Sequence, residues 1–371
     1  MAPPPPTTAA RRTYIDWARG VAVLIMIEAH VLDAWTLGSD RSTTAFGYLN
    51  VLGGFAAPLF LWLAGLSLGL AAERGLSRTG SRARAGEPLM RRGLEIYALA
   101  FVFRLQSFVV SPGNPLVSLL RVDILNILGL SMAVAALLWR IAPGGRSAAI
   151  YCGLFGGALA MVTPLARTAE WIRLLPPFLQ WYIAPIGNHS TFTLFPWAGF
   201  AFAGTAFGSL LSMADLPGEG RALRRLALWG CLLAAGSYYA STRPSIYAAS
   251  SFWSTSPTYF GVRVGLLMVA PAVLFALTPF AVAAPRGFGA LARFGRHSLF
   301  VYWVHVELVY GYATALVHHR LPLWVNSLAY LCLVGVMYWS IDLKMWVLDW
   351  WSARTTGAAI PRPLASEHHL K

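Results

Sequence analysis

The sequence predicts an all-α protein: a polytopic transmembrane helix bundle of about ten spans, with eleven as the alternative and both termini in the cytoplasm. Three observations predict it. Of the 371 residues, 57% are hydrophobic and only 12% are charged, whereas a soluble domain is about a quarter charged. The apolar residues form segments long enough to cross a bilayer. The aromatic fraction of 13% fits the aromatic belts at membrane surfaces.

A spanning helix needs about 20 predominantly apolar residues. Segment 170–187 contains Pro176, Pro177 and Trp181 and predicts an interfacial or re-entrant stretch; counting it as a span would give eleven. Ten other segments qualify: 14–36, 47–72, 90–110, 117–139, 147–163, 192–213, 222–241, 257–283, 297–318 and 323–350.

The net charge of +14 would suit nucleic acid or anionic lipid, but in a membrane protein it marks cytoplasmic loops. With ten spans and a cytoplasmic N-terminus, most of the 29 Lys and Arg residues fall on the cytoplasmic side. We therefore predict no nucleic-acid partner. We expect a cytoplasmic tail over 1–13, one transmembrane domain over 14–350 and a second cytoplasmic tail over 351–371.

The first span contains a stripe of ionisable residues. Arg19 and His30 are eleven positions apart, which is about 20° around a helix and about 16 Å along it. Asp16 lies three residues before Arg19, and Asp33 lies three after His30, so all four share one face. Glu28 points the other way. Because ionisable groups in hydrocarbon are costly and are kept mainly where they function, this stripe predicts the wall of a polar passage.

His30 is the sharpest candidate for chemistry in this stripe. Histidine exchanges protons near neutral pH, so His30 is predicted to deprotonate a hydroxyl or amine, with Asp33 orienting its ring. The alternative is a histidine that is simply hydrogen-bonded inside a bundle. Arg19 presents a rigid fork for phosphate groups, while Asp16 provides a structural partner for it. Both roles of Arg19 are compatible.

Gly65 and Gly69, in the second span, have the spacing that lets two helices approach closely. They are therefore predicted to be structural residues.

The fourth span begins with polar residues near its outer end. Asp123 and Asn126 lie one turn apart and would suit binding of acceptor hydroxyls. Alternatively, Asp123 pairs with Arg121 or Arg104 at the interface. The sequence leaves these two interpretations open.

Two later spans add polar residues. Arg263, two turns into the eighth span, requires an anionic partner, for which Asp33 and Asp123 are candidates. In the ninth span, Tyr302 and His305 share one face at a spacing of three. His305 lies near mid-membrane, within reach of the first span if the two helices are neighbours.

Several functional classes lack their motifs. The sequence contains no phosphate loop, no nucleotide-binding fingerprint, no Gly-x-Ser-x-Gly and no Cys or His pair at metal spacing. These absences exclude ATP-driven transport by this chain and predict no metal cofactor.

A set of motifs in order along the chain resembles a known family. The motifs are Asp16-x-x-Arg19-Gly with a later His, Ala-Pro-Leu-Phe-Leu-Trp-Leu-Ala-Gly65, Arg121-Val-Asp123-Ile-Leu, Phe-Pro-Trp197, Ser256-Pro-Thr-Tyr-Phe and Arg296-His-Ser-Leu-Phe-Val-Tyr-Trp-Val-His305. Together they resemble bacterial members of the heparan-alpha-glucosaminide N-acetyltransferase-like family, which is distantly similar to membrane acyltransferase-3 proteins. In the latter, an Arg, ten residues and a His mark the first helix, as Arg19 and His30 do here.

The resemblance implies an integral membrane acetyltransferase that moves an acyl group from cytoplasmic acyl-CoA to an extracytoplasmic sugar hydroxyl or amine. It implies His30 as the catalytic base and Arg19 as a contact of coenzyme A. By this resemblance, the catalytic His of the lysosomal heparan enzyme corresponds to a position in the loop after the first span. Here that loop, 37–46, has no His, so the arrangement is closer to acyltransferase-3 and a bacterial envelope glycan is the expected acceptor.

On this basis we expect acetyl-CoA as donor, bound at a basic cytoplasmic rim of Arg19, Arg91, Arg92 and Arg296. The catalytic candidates are His30, Asp33 and His305, and the substrate-binding candidates are Asp123, Asn126, Arg263 and Tyr302. The expected partners are acyl-CoA, a glycan or amino-sugar acceptor and the lipid bilayer of a bacterial inner membrane; a homo-oligomer is left open. Direct transfer and an acetyl-His intermediate also remain open.

Two other classes of protein are compatible with the same residues. A proton-coupled secondary transporter also needs intramembrane His, Asp and Arg. A non-catalytic membrane partner in envelope synthesis would bind no acyl-CoA.

Overall fold

A computed structural model describes residues 12–110, 115–215 and 217–356, and this part of the chain is helical without a named strand. Two isolated bridges, Thr36 to Leu321 and Val122 to Ser190, tie connecting segments together. Most of the two tails predicted over 1–13 and 351–371 lies outside the described residues. The helices are α1 Thr13–Trp35, α2 Thr44–Gly53, α3 Ala56–Thr79, α4 Arg82–Val110, α5 Ile124–Ile141, α6 Gly145–Thr168, α7 Pro177–Ile183, α8 Leu194–Ser212, α9 Glu219–Ser241, α10 Pro257–Ala276, α11 Thr278–Ala283, α12 Pro285–Arg296, α13 Ser298–Tyr310 and α14 Leu323–Thr356.

The long helices alternate in direction, so the bundle has two ends. At the end where α1 begins, Glu219 at the start of α9 accepts hydrogen bonds from Tyr14 and from Arg12 Nε, the latter at 2.6 Å. We call this end, where Arg12 lies and α1 begins, the basic end. At the other end, the Trp35 indole donates to the carbonyl of Val309 at 3.0 Å. Because His30 lies near this second end, we call it the histidine end.

Seven helical segments of the described chain are long and apolar enough to cross a membrane, which makes this a multi-pass membrane protein. Helices α1 and α9 are long enough but carry four charged residues each, and α13 has only 13 residues. The prediction of ten spans with both termini in the cytoplasm stays a prediction.

Segment 170–187 does not form a long helix. It folds into a short 3-10 turn over Glu170–Leu174 and the seven-residue α7, which at about 1.5 Å per residue is too short to cross a bilayer. The ninth predicted span, 297–318, is also shorter than expected. Helix α13 ends at Tyr310, and a 3-10 turn over Tyr312–Val317 follows Gly311.

Sequence reasoning missed helix α12, which lies in a segment expected to be a cytoplasmic loop. Pro285 occupies its first turn, where a missing N–H costs nothing. Its buried face packs on the start of α1: a Cβ added at Gly295 would lie 2.0 Å from the Asp16 carbonyl oxygen, and one at Gly20 would lie 2.1 Å from that of Leu291. Tertiary packing therefore stabilises a helix that hydrophobicity alone did not predict.

Glycines on both helices allow α3 and α8 to pack closely. A Cβ at Gly65 would lie 1.9 Å from the Ala201 carbonyl oxygen, and one at Gly208 would lie 2.3 Å from that of Leu66. Gly69 and Gly204 meet the facing backbone in the same way. The Gly-xxx-Gly spacing thus occurs on both sides of the contact, as expected for helix packing between small residues.

Candidate functional site

Two histidines from different helices meet at the histidine end. Helices α1 and α13 run parallel, and His30 Nδ1 lies 2.8 Å from His305 Nε2. The rings are nearly parallel, with centroids 5.0 Å apart and planes inclined by 12°. His305 is fully buried, whereas His30 is half-buried. Helices α1 and α13 are therefore neighbours, as the sequence analysis required for His305 to reach the first span.

The hydrogen bonds fix which ring nitrogens carry protons. His305 Nδ1 lies 2.7 Å from the carbonyl oxygen of Val301. Because a carbonyl only accepts, that nitrogen must be the N–H of a neutral His305, and its Nε2 is then an acceptor. His30 must consequently donate through Nδ1. In the neutral pair, His30 Nε2 keeps an unshared electron pair, which is the requirement for a base.

Asp33 does not orient the ring of His30, contrary to the sequence-based expectation. Its carboxylate Oδ2 accepts a hydrogen bond of 2.9 Å from the Tyr310 hydroxyl, and Oδ1 lies 3.8 Å from Arg41. The Asp33 side chain is 63% exposed. His305 contacts the His30 ring instead, because Asp33, one turn further along α1, lies at the surface. The Tyr310 ring lies 5.6 Å from that of His30, so Asp33 stays near the pair at its exposed side.

A second polar group adjoins the pair. The Tyr302 ring lies 6.0 Å from that of His305, and the Tyr302 hydroxyl has Asp123, Arg104 and Tyr310 as electrostatic neighbours. Arg104 Nη2 lies 2.5 Å from Asp123 Oδ2. The structure therefore brings the predicted residues Tyr302 and Asp123 into one neighbourhood with the histidines.

Asp123 and Asn126 also have a local structural role. Asp123 Oδ1 accepts from the backbone N–H of Ile124, and Asn126 Oδ1 accepts from that of Asp123 at 2.9 Å, which caps α5. The Asn126 amide donates to the Tyr182 hydroxyl at 3.4 Å. Of the two interpretations left open, the structure shows the pairing of Asp123 with Arg104 together with this cap.

Arg263 does not pair with Asp33 or Asp123. Its Nη2 donates to the Tyr259 hydroxyl at 2.7 Å, and its guanidinium lies 4.0 Å from the centroid of the Tyr259 ring and 5.7 Å from that of Phe55. Aromatic faces therefore take the position expected for a carboxylate, because cation–π contacts also stabilise a guanidinium. Arg263 is thus placed beside α3, apart from the acidic residues proposed for it.

The stripe on α1 ends in a different environment at the basic end. Arg19 Nη2 donates to the Ser67 hydroxyl of α3 at 2.5 Å, and Nη1 lies 3.3 Å from Asp16 Oδ1. Asp16 is buried, and the Arg19 side chain is 31% exposed. The structural pairing considered for Arg19 is present.

The predicted basic rim is divided. Arg92 and Arg296 line one cleft of about 430 Å³ between α4, α13 and α14, together with His297, Trp303 and Lys344. Arg91 does not line the cleft; it pairs with Glu95 at 3.3 Å and its side chain is 81% exposed. Arg92 shares the same partner, at 3.2 Å. Exposed pairs of this kind contribute little energy, so Arg92 stays available to an anion.

Sequence reasoning missed Tyr310 and Lys344. Tyr310 lies eight residues after Tyr302, about 80° away around the helix, and its proximity to Asp33 could have been suspected only from the α1–α13 pairing. Lys344 has no local signal, because its position depends on how α14 packs. Within the described ranges, no group of three or more His, Cys, Asp or Glu residues could hold a metal ion.

These observations define a class of protein: a multi-pass helical membrane protein with a hydrogen-bonded histidine pair at one end and a basic cleft nearer the other. Comparison with known families places it more closely. The sequence model described as heparan-alpha-glucosaminide N-acetyltransferase, catalytic, matches residues 11–243. The chain therefore belongs to this family, whose activity is acetyl transfer. No curated protein matches it. His305, α13 and α14 lie beyond the matched residues.

Proposed function

We propose that this protein transfers an acetyl group from cytoplasmic acetyl-CoA to a hydroxyl or amine of an extracytoplasmic sugar, with His30 as base. The observation that carries the proposal is the contact of 2.8 Å between His30 Nδ1 and His305 Nε2. In combination with the bond from His305 to Val301, this contact leaves His30 Nε2 as the basic atom. The family membership supports acetyl transfer as the reaction.

His305 would act as a positioning residue. It holds the His30 ring in one orientation and selects the tautomer that has its electron pair at Nε2. When His30 takes a proton, His305 Nε2 still accepts from Nδ1–H, so the charged form keeps its hydrogen bond. The buried position of His305 limits competition from water for that bond.

In the proposed step, His30 Nε2 removes the proton from the acceptor O–H or N–H, and the acceptor atom bonds to the thioester carbonyl carbon. The C–S bond then breaks, and the sulfur leaves as coenzyme A after taking the proton from His30. Alignment of donor and acceptor would supply much of the rate. A route through an acetyl-His intermediate uses the same residues.

The basic cleft is the proposed donor site. Coenzyme A carries several phosphate charges, and Arg92, Arg296 and Lys344 place three cationic side chains around one space of about 430 Å³. Trp303, which lines the cleft, is two residues before His305 on α13, so the cleft is about 3 Å from the histidine pair along the helix axis but lies on the opposite face of that helix. Arg19 is proposed to support the polar passage, and the exposed Arg91 to add only to the surrounding positive field.

The acceptor site is proposed at the exposed side of the histidine pair. Asp33 and Tyr310 lie beside His30, and Asp123, Asn126 and Tyr302 follow on the side of α5. Asp33 and Tyr310, which are exposed, offer hydrogen bonds to sugar hydroxyls or an amine, whereas Asn126 and Tyr302 are buried. By the positive-inside rule we expect the basic end in the cytoplasm, and the histidine end would then face outwards.

The test uses the full chain in detergent, with binding of acetyl-CoA and release of free coenzyme A followed by chromatography. A thiol-reactive dye is unsuitable, because Cys231 and Cys332 are exposed. We expect the wild type to bind acetyl-CoA and release coenzyme A slowly, and faster when glucosamine is supplied as a probe acceptor. His30→Ala should bind but not release it. Arg296→Gln, in the proposed donor cleft, should bind weakly.

The matched control is His189→Phe, which removes a histidine at the same end but keeps a ring against Trp181. It should behave as wild type. Neither binding nor thioester loss in the wild type at millimolar acetyl-CoA would reject the proposal.

One observation favours a proton-coupled carrier as the second candidate. Both carboxylate oxygens of Glu28, on the other face of α1, are buried without a hydrogen bond in the described part of the chain. An intramembrane carboxyl group of this kind suits a proton relay. Proton-dependent solute uptake by reconstituted vesicles, lost in Glu28→Gln and kept in His30→Ala, would favour the carrier.

A further inference from the structure

A second basic cleft lies at the basic end, away from the histidine pair. It has a volume of about 680 Å³ and is formed by the start of α6, the end of α8 and the first half of α9. Its lining includes Arg146, Arg221 and Arg225. None of these three helices contributes a residue to the histidine pair or to the cleft proposed for coenzyme A.

The three arginines are not compensated by neighbouring acids. Over residues 12–110, 115–215 and 217–356, no ion pair or side-chain hydrogen bond engages Arg146, Arg221 or Arg225. Asp215 is the acidic residue in the lining, and its Oδ1 accepts from the backbone N–H of Gly218 at 3.0 Å. The cleft therefore has an excess of positive charge that would attract an anion.

The cleft is open and also has large apolar residues in its lining. They are Leu210, Met213, Leu226 and Trp229, and Trp229 is 65% exposed. Tryptophan is enriched at the level of lipid headgroups. Three arginines next to exposed apolar side chains at a bundle end match an amphipathic ligand with an anionic head and hydrocarbon chains.

We propose that this cleft binds an anionic phospholipid of the cytoplasmic leaflet. The phosphate group would contact the guanidinium groups of Arg146, Arg221 and Arg225, and one acyl chain would lie along Leu210, Leu226 and Trp229. Basic pockets between helices on the cytoplasmic side of a membrane are the expected sites for such headgroups. A lipid held there would link α6, α8 and α9 at their ends, independently of the transferase reaction.

The test measures binding of a short-chain fluorescent phosphatidylglycerol to the purified full chain in detergent, with phosphatidylcholine of the same chain length for comparison. We expect phosphatidylglycerol to bind at least tenfold more tightly and its affinity to fall with added salt. Arg146→Gln, Arg221→Gln and Arg225→Gln should each weaken it about fivefold. The triple variant should lose the preference.

The control is a triple variant of equal charge, Arg78→Gln, Arg84→Gln and Arg224→Gln, whose residues are exposed and do not line the cleft. It should keep the preference. Equal affinity for the two lipids, or equal loss in both triple variants, would overturn the proposal.

Competition separates the sources of phosphate. We expect millimolar inorganic phosphate or coenzyme A to leave the bound phosphatidylglycerol in place. Displacement by either at that concentration would show a site for soluble anions and reject the lipid.

Discussion

The two ends of helix α1 carry similar sets of ionisable residues but use them differently. At the basic end, Arg19 donates hydrogen bonds to Ser67 and Asp16. The Glu219 carboxylate accepts hydrogen bonds from both Arg12 and Tyr14. At the histidine end, within the described part of the chain, His30 is hydrogen-bonded through Nδ1 and not through Nε2.

We interpret the difference as one between ionisable groups that hold helices together and a group that is available for proton exchange. Where donors meet acceptors, as for Arg19 with Ser67, the charge is stabilised and ties helices together. Where an ordered ring keeps one free electron pair, as for His30 Nε2, the group is ready to exchange a proton. The number of charged residues does not separate the two cases; the hydrogen-bond geometry does.

The largest effect on turnover is expected from His305→Phe, at the histidine end. An aromatic side chain is kept, but the acceptor of the His30 Nδ1 proton is lost, and turnover should fall about 100-fold, near the lower range for general base catalysis. Binding of acetyl-CoA should not change. The measurement is kcat and KM for acetyl-CoA in the full chain.

His305→Gln is the conservative variant for this test, because its amide oxygen can accept the same hydrogen bond. It should recover part of the lost turnover. Equal activity of His305→Phe and wild type would mean that His305 does not orient His30. The proposed difference between the two ends of α1 would then be wrong.

The next largest effect is expected from Arg296→Gln in the basic cleft. Loss of one charged contact of about 1.5–3 kcal/mol should raise KM for acetyl-CoA about tenfold or more, with kcat nearly unchanged. Arg91→Gln is the matched control, because Arg91 is basic but does not line the cleft. A fall in kcat rather than a rise in KM would place Arg296 in the chemistry instead of donor binding.

A smaller effect is expected from Asp33→Asn. Asp33 hydrogen-bonds to Tyr310 and not to His30, so the amide should keep much of the arrangement and reduce turnover less than about tenfold, or about 1.4 kcal/mol. Steady-state rates with several acceptor sugars measure it. A loss as large as that of His30→Ala would restore Asp33 as the orienting group.

The smallest effect on activity is expected from Ser67→Ala at the basic end. It removes the hydroxyl that receives Arg19 and should cost about 0.5–1.5 kcal/mol of stability, with turnover within about twofold of wild type. Thermal unfolding in detergent and the thioester assay are read on the same samples. Unchanged stability with lost turnover would show that Ser67 and Arg19 at the basic end take part in the reaction too.

Much of the fold follows from the sequence because burial in lipid requires long apolar helices. Each of the ten predicted spans contains a helix, and the Gly65–Gly69 spacing correctly indicated close packing. Helix α12 was missed because a short amphipathic helix with three arginines resembles a loop in a hydropathy analysis, and only its contact with Gly20 and Asp16 explains it.

The candidate site was predictable one helix at a time. The spacing of Arg19 and His30 on α1, and of Tyr302 and His305 on α13, depends only on helical geometry. The partners of Asp33 and Arg263 were assigned wrongly, since spacing along one helix carries no information about which helix lies beside it.

The sequence by itself determined that this is a helical membrane protein and which residues share a face of each helix, and it predicted His30 as the group for proton transfer. Composition and the 3.6-residue period are local properties, so they can be read without knowledge of the fold. Only the tertiary structure decided that His305 rather than Asp33 orients His30, and that Arg92 and Arg296 share a cleft. These contacts join residues more than 200 positions apart, and their geometry depends on the packing of whole helices.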